Sequence, residues 1–236
     1  MDTIFLAPTA AELEREWGLG LDVDWDPEMA RGKFAPFIRR FGLGAAAQRE
    51  VVLGRFGLIP ASAKSERPAG STINARVETA DTRSAFKGAY AERRWCIVPA
   101  MALYAPLYES DDGEPVRWRI RRADRAPLAI AGLWDRWVSR DGRSVVSFAM
   151  LTINCDLHPL LSRFGRHLDA SGAVLEKRTP VLLAEEDFDA WLDTSPSRAP
   201  IYFGTFGKDD LEAEPMPANS RRATRAMALD SLASSL

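Results

Sequence analysis

The clearest alternation of apolar and polar positions lies at 116–122, "VRWRIRR", where Val116, Trp118 and Ile120 interleave with Arg117, Arg119 and Arg121. A period of two is that of a strand, here with one apolar and one cationic face. Apolar, β-branched and aromatic runs at 33–40, 49–60, 93–104, 126–134, 145–153 and 180–183 predict further strands, set off by Pro and by charged or Gly-bearing turns. Helical spacing is confined to short pieces. Thr9 and Glu12 make a capping-box pattern ahead of Leu13, Trp17 and Leu19. Phe86 and Tyr90 stand four apart within 82–93, and the segments 156–165 and 185–193 complete the expected helices. Strands dominate, and the helices are scattered rather than alternating with them, so the pattern predicts an α+β fold and not a doubly wound one. One domain is expected over 1–217. A polar, Ser/Ala-rich tail follows at 218–236 and reads as a frayed helix or as disordered.

The bulk numbers change little. The chain has 236 residues, 46% hydrophobic and 27% charged, enough for one sizeable core. Its formal net charge of −2 gives no global pull toward nucleic acid or membrane, so local clusters must carry any such role. One cluster stands out: Arg117, Arg119, Arg121, Arg122 and Arg125 fall within nine residues. It fits phosphate binding and a solvated sheet face equally well. The two cysteines and two histidines (Cys96, Cys155, His158, His167) rule against a disulfide framework and a structural zinc site, and no metal or cofactor is expected. Both cysteines sit in apolar, strand-like surroundings and are expected to be buried and inert. His158, just before Pro159, reads as a local hydrogen-bonding residue. No GxSxG is present, which leaves a serine triad without support. The start "MDTIFLAPTA" lacks a secretory pattern, and the longest apolar run, 126–134, is far too short for a bilayer. The expected location is cytoplasmic, with no membrane partner.

A different pattern appears at 71–79, "STINARVET": in an extended segment Asn74, Arg76 and Glu78 point to one side. Alone it would be a solvated strand edge. Its companions change that: "RFGLIPASAK" (55–64), "RRWCIVPA" (93–100), "AGLWDRW" (131–137), "SFAMLTIN" (147–154) and "EKRTPVLL" (176–183). Each is weak singly, but the succession, in this order, resembles the SRAP family of SOS-response-associated peptidases, or abasic-site-processing proteins, from the start to about residue 193. The resemblance implies a single α+β domain around a curved, barrel-like, mainly antiparallel sheet with a basic channel. It also implies binding of single-stranded or abasic-site DNA. In such proteins a Cys at position 2 captures the ring-opened sugar, first as a Schiff base of its α-amine and then as a thiazolidine. An Asn of the "NAR" motif, a Glu and a His assist.

This chain departs from that pattern where the chemistry is concentrated. Asp2 stands in the place of the Cys, Ala105 follows Tyr104 where the Glu is expected, and Glu176 occupies the place where many members carry His. His167, two residues after Gly165, is the substitute the resemblance leaves for that His. A carboxylate cannot close a stable five-membered ring on an imine. The implied protein is therefore a DNA binder whose crosslinking and autopeptidase steps are lost. By resemblance, the DNA-binding residues are Asn74, Arg76, Arg55, Phe56 as a stacking face, Pro36 as an apolar wedge, and Arg178 near the phosphates. Asn74, Glu176 and His167 are the remaining catalytic candidates. Two alternatives stay open: an active enzyme with a rearranged centre, or a module repurposed for a protein or small ligand. No particular protein partner is indicated.

Overall fold

A computed structural model describes residues 4–42, 47–66, 72–109 and 113–216; Asp2 and the tail beyond 216 lie outside the described residues. In chain order the elements are β1 (Ile4–Leu6), α1 (Ala10–Trp17), β2 (Glu28–Met29), β3 (Phe34–Phe41), β4 (Gln48–Phe56), β5 (Asn74–Arg76), α2 (Lys87–Ala91) and β6 (Trp95–Ala100). They continue with β7 (Ala102–Leu107), β8 (Val116–Arg122), β9 (Leu128–Val138), β10 (Ser144–Asn154), β11 (Arg178–Pro180), α3 (Phe188–Asp193) and β12 (Leu211–Pro215). The result is the expected α+β architecture. Strands β10, β4, β3, β6 and β9 close on themselves, because β9 also pairs with β10. All pairs in this barrel are antiparallel except β4 with β10. A second, antiparallel sheet runs in the order β12-β8-β7-β1-β2.

Closure depends on a residue without a side chain. Gly132 of β9 pairs with Cys96 of β6 on one side and Met150 of β10 on the other. A Cβ there would stand 2.6 Å from the Ala149 carbonyl oxygen and 2.9 Å from Cys96 Sγ. Only glycine permits so close an approach.

Strand β6 is buried along its whole length because its two faces meet different cores. Cys96 and Val98 join the aromatic cluster of Phe5, Phe37, Phe56 and Phe148, which welds the barrel to the second sheet. Trp95 and Ile97 face a second cluster with Tyr90 and Trp191, which seats α2 and α3 on the barrel. This is the alternation of a strand applied to two apolar layers. Two indole N–H groups fix the arrangement: Trp191 donates to the Cys96 carbonyl at 2.9 Å and Trp95 to the Thr194 carbonyl at 2.8 Å.

Several local expectations need correction. The run 93–104 is two strands, not one; it breaks at Met101, so that β6 lies in the barrel and β7 in the second sheet. The helix expected over 82–93 contracts to α2, preceded by turns. The segment 156–165 forms no α-helix, only a 3-10 turn at Leu161–Arg163. His158 organises that turn: its Nδ1 accepts from the amides of Leu160 (3.1 Å) and Leu161 (3.0 Å), so Nε2 carries the proton it shares with the Phe206 carbonyl. The strand at 180–183 is β11 with only an isolated Leu182–Ile130 bridge beyond it.

The cationic face of β8 also has a structural answer. Strand β12, "LEAEP", lies beside it with Glu212 opposite Arg121 and Glu214 opposite Arg119. Arg119 and Arg121 both pair with Glu214, Arg121 and Arg125 with Glu212, Arg117 with Glu28, and Arg122 with Asp124. Opposite charges across an antiparallel pair explain the arginine run without any phosphate. Among the described residues no helix is long and apolar enough to cross a membrane.

Candidate functional site

A cleft of about 630 Å³ opens between the two sheets. Strand β10 builds one wall. Its C-terminal part takes β5 in parallel, Asn74 beside Met150 and Arg76 beside Thr152, and β11 antiparallel, with Asn154 beside Arg178. The motif "NAR" is thus a three-residue strand, and its alternation points Asn74 and Arg76 to the same face. The other wall comes from β7 and β8, with Tyr104, Ala105 and Ile120; Ile4 of β1 pairs with Tyr104 there. Apolar Leu103, Leu161 and Phe164 complete the floor. Among the described residues, the charged lining is Arg76, Arg83, Arg166, Lys177 and Arg178 against Glu176, five cations to one carboxylate.

Carboxylates already engage the two motif arginines. Arg178 grips Glu78 with both ends of its guanidinium, at 3.2 and 2.8 Å, and also donates to Glu176 at 2.5 Å. It bonds the Thr152 carbonyl and, at 3.3 Å, the Thr152 hydroxyl, so that its side chain is only 14% exposed. Glu176 accepts in addition from Asn154 Nδ2 at 3.2 Å and pairs with Arg76 at 3.1 Å. Burial pushes the Glu78 carboxyl up, but hydrogen bonding and charge from Arg178 prevail and hold it below the usual carboxylate range. Lys177 Nζ donates to the carbonyls of Gly165 and Arg166, both at 2.8 Å, and ties that segment to the cleft. Burial raises the Tyr104 phenol, partly offset by the Arg117 guanidinium 3.8 Å above its ring.

Asn74, Arg76, Ala105, Glu176 and Arg178 therefore meet at one place, although they are scattered from 74 to 178 in the chain. Other expected site residues do not join them. Phe56 is fully buried, edge-on to Phe5 and stacked on Phe148, each at 5.3 Å, so it offers no face for a base. Pro36 is buried within β3 and cannot act as a wedge. Arg55 lies off the cleft and pairs with Glu66 at 3.3 Å. His167 is exposed outside the cleft wall, where its carbonyl accepts from the Leu175 amide at 2.8 Å. Arg83, Arg166 and Lys177 line the cleft without belonging to the residues singled out from the sequence. No local pattern marks them; the folding of 165–178 over the cleft brings in Arg166 and Lys177, and the turns before α2 bring in Arg83.

The family description "SOS response associated peptidase (SRAP)" matches residues 7–218. The chain belongs to the SRAP family. Among its relatives is the abasic site processing protein YoaM of Bacillus subtilis (strain 168), 30% identical over 162 residues, a match spanning 67% of this chain and 65% of that protein. Another is the B. subtilis abasic site processing protein YobE, 28% identical over 67% of each chain. The chain thus spans about two thirds of the length of these relatives. A solved structure from Bordetella bronchiseptica is similar with a TM-score of 0.79 and 31% identity, over 91% of this chain and 99% of that one. A Bacteroides thetaiotaomicron structure shares the fold at 20% identity, with a TM-score of 0.73 over 92% of each chain.

Neither cysteine lines the cleft. Burial raises the Cys96 thiol far above its ordinary value; burial and the Asp156 charge push the Cys155 thiol to about 11. At neutral pH neither is a nucleophilic thiolate.

Proposed function

We propose that this SRAP protein acts in the DNA damage response by binding single-stranded or abasic-site DNA non-covalently in the cleft, without the crosslinking and autopeptidase steps. One observation carries the proposal: the cleft gathers Asn74 and five cations over an apolar floor, while it holds Ala105 and an ion-paired Glu176 and no cysteine among the described residues. Recognition groups are retained and reactive ones are replaced. The names of the B. subtilis relatives agree with abasic DNA as the ligand class. Arg76 and Arg178 would meet phosphates and Asn74 the sugar, and a cytoplasmic location accords with such a partner. Phe56, Pro36, Arg55 and His167 have no part in it.

Fluorescence anisotropy with a labelled single-stranded oligonucleotide carrying an abasic site tests the proposal. Affinity should fall steeply as salt rises, because phosphate contacts release counterions. Arg76→Ala should weaken binding roughly fivefold to tenfold and reduce the salt slope by about one. Borohydride should trap no adduct. Absent or salt-independent binding would sink the proposal, and a trapped imine would replace it with the active-enzyme alternative.

A further inference from the structure

Resting on that function, the ion pairs of the cleft carry a second conclusion. A phosphodiester oxygen that approaches Arg76 or Arg178 seeks the N–H donors that Glu176 already uses. One carboxylate bridges both arginines, Oε2 toward Arg76 at 3.1 Å and Oε1 toward Arg178 at 2.5 Å. We propose that Glu176 is an internal counter-anion that gates the cleft, occupying the phosphate positions of Arg76 and Arg178 until a nucleic-acid backbone displaces it.

The local structure suits such an exchange. Glu176 lies in the irregular segment just before β11, and its side chain is 32% exposed, so it can rotate outward without breaking a ladder bond. Arg76 is 55% exposed, so its pair with Glu176 is weak and a strong anion can replace it. Arg178 would not collapse when Glu176 leaves. Its fork on Glu78 and its bonds to Thr152 persist, so the guanidinium stays where a phosphate would find it. Glu78 is thus the anchor and Glu176 the competitor. Displacing the one bridging carboxylate exposes two cations together, which favours a ligand with successive phosphates over one with a single phosphate.

The test uses the full chain with the same labelled abasic oligonucleotide and with a mononucleotide as competitor. Glu176→Gln keeps the shape and an amide partner for Asn154 but removes the charge; Glu176→Ala removes the group. Both should bind the oligonucleotide about fivefold more tightly than wild type. Glu14→Gln, on the exposed face of α1, changes net charge equally and should bind as wild type does. The preference for oligonucleotide over mononucleotide should narrow in both Glu176 variants. If wild type binds and Arg76→Ala weakens it, but neither Glu176 variant binds more tightly than Glu14→Gln, the gate is overturned and the DNA-binding function stands. If wild type fails to bind while Glu176→Gln binds, the gate is upheld and DNA binding by the native protein is not. Failure of all variants to bind overturns both.

Discussion

At Arg178 a single guanidinium holds two carboxylates and a carbonyl. The consequence is measurable at Glu78. Its carboxyl titrates below the usual range because Arg178 outweighs the effect of burial. A depressed folded value means that its contribution to stability is present above the unfolded pKa and is lost as pH falls through the folded one. Acid should therefore loosen this wall of the cleft. In Arg178→Ala the Glu78 carboxyl should rise into or above the usual range, since burial then acts with less opposition, and the acid step in stability should disappear. NMR titration of the carboxyl carbon reads the first effect and urea unfolding at several pH values the second; an unmoved Glu78 would show that Arg178 is not the cause. As residues of the cleft lining, Asn74, Arg76 and Arg178 were legible from their motifs. Phe56 and Pro36 were not, because residue type shows a capacity to stack or wedge but not which way the side chain faces.

Strands β8 and β12 show how an element can be misread from one side. The five arginines clustered on β8 and just after it look like a phosphate surface only while their partners are unknown. "LEAEP" has the composition of a poor strand, with two Glu and a Pro, and becomes one because each Glu meets an Arg across the ladder. Arg119→Ala and Arg121→Ala should each lower stability by about 0.5–1 kcal/mol in urea unfolding. DNA affinity in the anisotropy assay should stay unchanged. Loss of binding without loss of stability would restore the phosphate role. The same dependence on a neighbour divides 93–104: the apolar run is continuous, but Met101 donates its amide to the Leu6 carbonyl at 2.7 Å, where the chain passes from barrel to second sheet.

Across the whole molecule, the cleft exists because a closed barrel and a second sheet share one aromatic core. Gly132→Ala tests the closure, since the new methyl would meet a backbone oxygen of β10 that cannot move without its strand. A loss of about 1–3 kcal/mol in urea unfolding is expected, together with weaker DNA binding as the cleft walls shift. An unchanged midpoint would show that β9 is not held so tightly. By itself, the linear order of motifs determined the SRAP family and the α+β class, because these are matters of residue identity and spacing. Tertiary structure alone decided that Arg83, Arg166 and Lys177 join the cleft and that the β8 arginines are spent on ion pairs. Arg178 finds Glu78 one hundred residues away, and Arg119 finds Glu214 across 95. Charge acts through space over a few ångströms, and sequence distance carries no record of which groups folding brings that close.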